Sequence, residues 1–360
     1  MKRISHTTLI LASVVLLAAA IFCSGGCGGG STSSGTWGDG GSSNTAITAV
    51  GWASGNGGYI TKTADGGTTW SLQSSGSTKD LNQLNFIDSH NGWVVGKEGT
   101  LLKTTDGGKT WTTLASGSVQ ALTGVSFVDT NTGWAVGESG TILKTANGGT
   151  TWSLQASGTV QNLSSVSFVD SNNGWVTESS GGKILRTTNG GVNWVESDLG
   201  PTFATSQTPF GPPSFAAVEF TTATTGWIGG SQLNFNGAAA GFMARTSDGG
   251  TTWTGGLVGG DFSSIKDISL LGVSNGFALL SGGPGGPSDS NLLISNDGGA
   301  TFTSKAINGQ PSSLSFIDTA KGWVALTNGN VQSTTDGGST FASQASGISQ
   351  INAVQFISVK

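Results

Sequence analysis

The sequence predicts an all-β fold, a closed seven-bladed β-propeller of four-stranded antiparallel blades, and three observations carry that prediction. An eight-residue pattern, Ser/Thr-x-Asp-x-Gly-x-Thr-Trp, recurs seven times, beginning at Thr63, Thr104, Thr145, Thr187, Thr246, Ser295 and Thr334, with Asn147 and Asn189 replacing the aspartate, Asn193 the second threonine, and Phe302 and Phe341 the tryptophan. Its aspartate positions, 65, 106, 147, 189, 248, 297 and 336, lie 41, 41, 42, 59, 49 and 39 residues apart, and a period near 40 marks an array or a propeller. A count of short apolar runs then separates an open stack from a ring.

In the unit around Asn147 four runs stand out, at 122–129, 134–137, 141–144 and 152–154. They alternate, are rich in β-branched and aromatic residues, and are separated by Asp, Asn and Gly turns, as antiparallel strands require. Named a, b, c and d, strands b to d occur seven times, the first set at 50–54, 59–63 and 70–72. Strand a, marked by Val/Leu/Ile-x-Phe or its variant, precedes six units, and the seventh copy is Val354-Gln-Phe356 at the C-terminus. The first unit lacks a strand a. The surplus and the deficit cancel if the C-terminal strand joins the first blade, which closes a ring of 28 strands.

The repeated motif falls at the c–d turn. Its glycines accept positive φ, its Asp or Asn accepts backbone N–H bonds within the turn, and its aromatic residue starts strand d. Asp65, Asp106, Asn147, Asn189, Asp248, Asp297 and Asp336 are therefore read as structural, because Asn147 and Asn189 keep the turn and lose the charge. A second aromatic set, Trp52, Trp93, Trp134, Trp175, Trp227, Phe277 and Trp323, opens strand b, each directly after a glycine. A Trp that buries ~150–250 Å² contributes at most about 4–6 kcal/mol, so two such rings are expected to supply the main packing.

Ahead of the propeller, expected over 46–360, residues 1–27 read as an export signal and 28–45 as a Gly/Ser-rich tether. Lys2 and Arg3 precede the apolar run 9–22, which is too short to span a bilayer. Cys27 follows small residues and opens the Gly/Ser tract, where a bacterial lipoprotein carries its lipid, although Ser24 replaces the usual aliphatic residue. Lipidation at Cys27 would tether the domain to a membrane of the bacterial cell envelope, whereas cleavage near Cys23 would leave it secreted. Beyond residue 27 there is no cysteine, so the fold must be stable without disulfides.

Without Lys2 and Arg3, 13 basic residues face 20 acidic ones and no basic cluster exists, which argues against nucleic-acid binding. His90 is the only histidine after the signal, so no metal-ligand cluster is expected, and neither is a cofactor. A sialidase needs an arginine triad and a tyrosine nucleophile. Here Arg186 and Arg245 occupy the repeat position of Lys62, Lys103 and Lys144, and Tyr59 is the only tyrosine.

Three insertions interrupt the repeat, at 196–214, 231–240 and 281–290. By propeller topology they emerge with the b–c and d–a loops, opposite the repeated motif. They and their edges bring Phe203, Phe210, Phe215 and Phe235, while the regular b–c turns add Glu98, Glu138 and Glu178. An aromatic, amide-rich face suits a protein or a carbohydrate partner. No facing pair of carboxylates of the kind a glucanase needs stands out.

The motif resembles the Asp-box, or bacterial neuraminidase repeat, found in sialidases, xyloglucan-cleaving glucanases, sortilin-type receptors and the photosystem II stability/assembly factor family. The longer repeat at 127–152 looks like the last of these. That resemblance implies a non-enzymatic, exported seven-bladed propeller, expected to be a monomer, that helps assemble a membrane complex. The family's partner binding is associated with an arginine-lined patch, which this arginine-poor chain lacks. The expected function is accordingly a non-catalytic, membrane-tethered scaffold for a protein partner, with a polysaccharide-binding or polysaccharide-cleaving propeller as the alternative.

Overall fold

The computed structural model describes residues 48–197, 199, 211–234, 236–282 and 289–359. They form seven antiparallel sheets of four strands each. Blade 1 takes its inner strand from the C-terminus, Ile351–Val359, followed outward by Thr48–Gly55, Ile60–Thr63 and Ser71–Gln73. The closing pairs run from Thr48↔Val359 to Ser54↔Ala353. Blades 2 to 7 follow in chain order, from Leu81–Phe86 to Ala342–Ala345. The ring closure expected from the strand count is therefore present.

Strand b is buried along its whole length, as at Gly92–Gly96 and Gly133–Gly137. It is flanked by two strands of its own sheet and by two neighbouring blades, which is why it reads as a continuous apolar run rather than an alternation. Strand d forms the outer rim and is mostly exposed. The aromatic residue of the repeated motif sits one position before strand d.

Neighbouring blades are joined by a repeated aromatic sandwich. The strand-b Trp of one blade stacks on the strand-a Phe of the next: Trp52 on Phe86 at 3.7 Å, Trp93 on Phe127 at 3.6 Å, Trp134 on Phe168 at 3.5 Å and Trp175 on Phe220 at 3.5 Å. Phe277 on Phe316 and Trp323 on Phe356 continue the series, the latter across the closure. On its far side each Phe lies over the glycine that opens strand b of its own blade. A Cβ on Gly92 would sit 2.4 Å from the Phe86 ring, and one on Gly133 would sit 2.5 Å from Phe127. That is why every strand-b aromatic follows a glycine. In the seam from blade 5 to blade 6, Leu270 replaces Phe and Trp227 itself crowds Gly276.

The Asp-box turns complete the seam. The indole N–H of Trp52 donates to the Gly107 carbonyl of the next blade at 3.0 Å, and Trp93, Trp134, Trp175 and Trp323 do likewise to Gly148, Gly190, Gly249 and Gly66. Gly107 and Gly108 have φ of 72° and 90°, a backbone that turns this carbonyl toward the neighbour. Within the turn, Asp106 accepts Thr110 N–H at 2.9 Å and the Thr104 and Thr110 hydroxyls at 2.8 and 2.6 Å. Asn147 accepts Thr151 N–H at 2.9 Å and donates to the Thr151 hydroxyl, so the charge is not needed for the turn. The strand-d aromatics stack edge-on against the same Phe rings, as Trp111 does on Phe86.

This packing predicts opposite outcomes for two conservative changes. Gly92→Ala drives a methyl into a ring already held by Trp52 and should cost about 1–3 kcal/mol, while Asp106→Asn should stay within about 0.5 kcal/mol. Urea unfolding of both variants checks this, and equal losses would contradict it.

Candidate functional site

The b–c and d–a connections share one face. There the backbone N–H of Lys97 donates to Asp80 O, that of Glu138 to Ala121 O and that of Ser179 to Asn162 O. The Asp-box turns meet the a–b turns on the other face, where Gly107 N–H donates to His90 O and Gly148 N–H to Asn131 O. The 231–240 insertion, a b–c connection, therefore lies opposite the Asp-boxes, while residues 200–210 and 283–288 of the other two lie outside the described residues.

The 231–240 insertion is largely a lengthened hairpin, Gly226–Leu233 paired to Ala239–Thr246 with Ser231↔Gly241, Gln232↔Ala240 and Leu233↔Ala239 in register. Phe215 is not a surface residue. It lies inside strand a of blade 5, Ser214–Phe220, buried against Phe242. It holds the place of Leu81, Leu122, Leu163 and Ile265 in other blades, and burial of an apolar ring there follows from the repeat.

Glu98 is exposed with φ of 55° and pairs with Lys79. Glu138 is half-buried, and Glu178 is fully buried, so the three acids do not form one exposed set. Phe203, Phe210 and Phe235, like Cys27, lie outside the described residues. His90 is exposed in its turn and touches the Ser89 hydroxyl.

The basic positions before each Asp-box belong to the seams. Lys62, Lys103 and Lys144 lie over Trp52, Trp93 and Trp134 at 5.2 to 5.3 Å, a cation–π geometry. Lys144 also donates to Gly190 O and Arg245 to Gly298 O. Among the described residues, no group of three or more acids, histidines or cysteines is placed to hold a metal.

The central channel carries a feature that the sequence reading missed. Seven strand-a side chains, Asn85, Ser126, Ser167, Glu219, Ser269, Ser315 and Gln355, each accept the backbone N–H of the next blade's strand a. Each satisfies one N–H on the inner edge of a sheet, which has no strand neighbour. Glu219 accepts Leu270 N–H at 3.1 Å, while Asp267 accepts Leu314 N–H at 2.9 Å and the Ser313 hydroxyl at 2.8 Å.

Enclosure by the channel walls, reinforced by the Asp267 charge, pushes Glu219 up to about 8, and enclosure pushes Asp267 up to about 6. Both are partly exposed. Raised carboxylates facing one another also mark acid–base sites. Here the ring position and the backbone bonds give the pair a structural role.

The Asp-box carboxylates shift the opposite way. Hydrogen bonds from Thr110 hold Asp106 at about 2, and Asp65 and Asp336 match it. These groups lose stability as pH falls from about 4 toward 2. Glu219 and Asp267 bind more protons folded than unfolded, so their contribution falls as pH rises from about 4 to about 8. Urea unfolding should therefore show stability declining from pH 5 to 8, by up to ~1.4 kcal/mol per unit for each of the two groups, with a flatter profile in Glu219→Gln. An unchanged profile would contradict the assignment.

A family model described as photosynthesis system II assembly factor YCF48 matches residues 45–118 and 116–209. Among solved structures, YCF48 bound to D1 peptide is 21% identical over 74% of this chain and 82% of that one, with a TM-score of 0.53. YCF48 from Cyanidioschyzon merolae is 21% identical over 75% and 86%, with a TM-score of 0.54. The GH74 xyloglucanase of Xanthomonas campestris is 10% identical over 85% of this chain, with a TM-score of 0.62, and the match spans about half, 52%, of that enzyme. No curated protein sequence matches the chain. At these identities the structural likenesses speak for the fold, while the family model speaks for the repeat. The chain is a seven-bladed propeller that resembles the photosystem II stability/assembly factor family, with the YCF48 repeat matched across its first four blades.

Proposed function

We propose that the chain is an exported, membrane-tethered and non-catalytic propeller that binds a protein partner, or helps assemble a complex, through the face of its b–c and d–a connections. The observation that carries this reading is the YCF48 repeat over 45–209, together with a solved YCF48 propeller described as bound to a D1 peptide. The repeat's own polar and basic groups are engaged in turns, seams and the channel ring. Binding would then fall to positions where a blade departs from the repeat. A lipid on Cys27 would hold the domain at a bacterial envelope membrane. No helix among the described residues is long and apolar enough to cross one.

The likeness to a xyloglucanase propeller and the Glu219–Asp267 pair favour the second reading, a propeller that binds or cleaves polysaccharide. Two of the carboxylate oxygens already accept backbone N–H groups from the adjacent blade, which weighs against a free acid and base flanking a sugar.

In-cell crosslinking with mass spectrometry should recover a partner that is lost on deleting 201–213, and Cys27→Ser should move the protein from the membrane to the soluble fraction. An unchanged partner set would overturn the assembly reading. Product release from a glucan and glycan panel would favour the second.

A further inference from the structure

At the strand-b position that pairs with the start of strand a, blades 1, 2, 3 and 5 carry glycine: Gly55, Gly96, Gly137 and Gly230. A Cβ there would lie 1.8 to 2.2 Å from the backbone carbonyl of the residue that precedes or opens strand a. In blades 6 and 7 the position is apolar, Leu280 and Leu326, and blade 4 places the acidic Glu178 there. Its b–c turn is one residue longer: Gly137 N–H reaches Thr141 O, whereas Glu178 N–H reaches Lys183 O. The longer turn makes room for a side chain.

That side chain is 1% exposed. Among the described residues, neither of its carboxylate oxygens has a hydrogen-bond partner. Lys183, the cation that senses its charge, is engaged outside by Glu196. An isolated ionised carboxylate is among the costliest groups to remove from water.

Glu178 lines an open groove of about 1100 Å³ between the 116–120 and 156–161 connectors. Val119 and Val160, 84% and 83% exposed, flank it. The matching connector positions in blades 1 and 7 are the polar Thr78 and Ser349. Leu154, also exposed, lines the same groove. One groove therefore combines a buried, unbalanced acid with unusually exposed aliphatic side chains.

We propose that this groove docks an extended basic segment of the protein partner, with an Arg or Lys side chain placed on Glu178 and adjacent apolar side chains on Val119 and Val160. The proposal rests on the partner-binding reading and names its chemistry. Closing the groove over a cation supplies the missing charge, and the acidic chain, net −5, attracts such a segment.

The test uses the full chain with methyl-labelled valines and three capped pentapeptides, Ala-Val-Arg-Val-Ala and its Gln and Glu counterparts. The Arg peptide should shift the Val119 and Val160 methyl signals saturably. The Gln and Glu peptides, and the Arg peptide on Glu178→Gln, should bind at least about tenfold more weakly. Glu178→Gly, which restores the glycine of four other blades, guards against a folding artefact and should behave as Glu178→Gln does. Equal binding of the Arg and Gln peptides, no shift at millimolar Arg peptide, or full affinity in both variants would overturn the proposal. If the crosslinked partner still depends on 201–213 in that event, the assembly reading stands and only the groove assignment falls.

Discussion

A phenyl ring caught between a bare glycine and an indole sets the geometry of this propeller. In blade 2, Phe86 lies on Gly92 of its own sheet and under Trp52 of the preceding blade, with ring centroids 3.7 Å apart and planes 11° from parallel. The indole N–H then fastens to an Asp-box carbonyl one blade on. Removing water from these rings stabilises the seam, and the hydrogen bond fixes its angle. The same arrangement crosses the closure, where Trp323 covers Phe356 and bonds to Gly66. The chain ends are thus joined by the same contacts as the other blades, in addition to strand pairing.

The fold was legible because the repeat speaks at several scales at once: motif, period and strand count. The glycine before each strand-b aromatic was visible, but its reason was not, since the Phe that needs the space lies six or more residues upstream and its Trp cover about 40 residues away. The channel ring was equally hidden. Ser126, Ser167 and Glu219 look like the polar half of an alternating strand, and nothing local reveals that each accepts a backbone N–H from the next blade. Aligning the repeats column by column would have placed Phe215 with Leu81 and Leu122 in the core, and Glu178 with Gly96 and Gly137. The surface reading of Phe215 failed because it was assigned to the end of an insertion rather than to a repeat column.

Function in such an array sits where the repeat is broken at a cost. Asp-box aspartates, seam lysines and channel hydroxyls all have partners inside the molecule, so their recurrence explains stability. Glu178 has no such partner among the described residues, and it stands where four blades carry glycine and two carry leucine. It lies on the connection face, as the 231–240 hairpin does.

The central claim, that the aromatic seam holds the ring together, is tested most directly by native-state hydrogen exchange of the tryptophan indoles. Trp52, Trp93, Trp134, Trp175 and Trp323 donate across seams, whereas Trp70, Trp111, Trp152 and Trp194 have no acceptor. The first group should exchange only through global unfolding, and the second through smaller fluctuations and therefore faster. Equal rates in the two groups, or faster exchange in the first, would contradict the account.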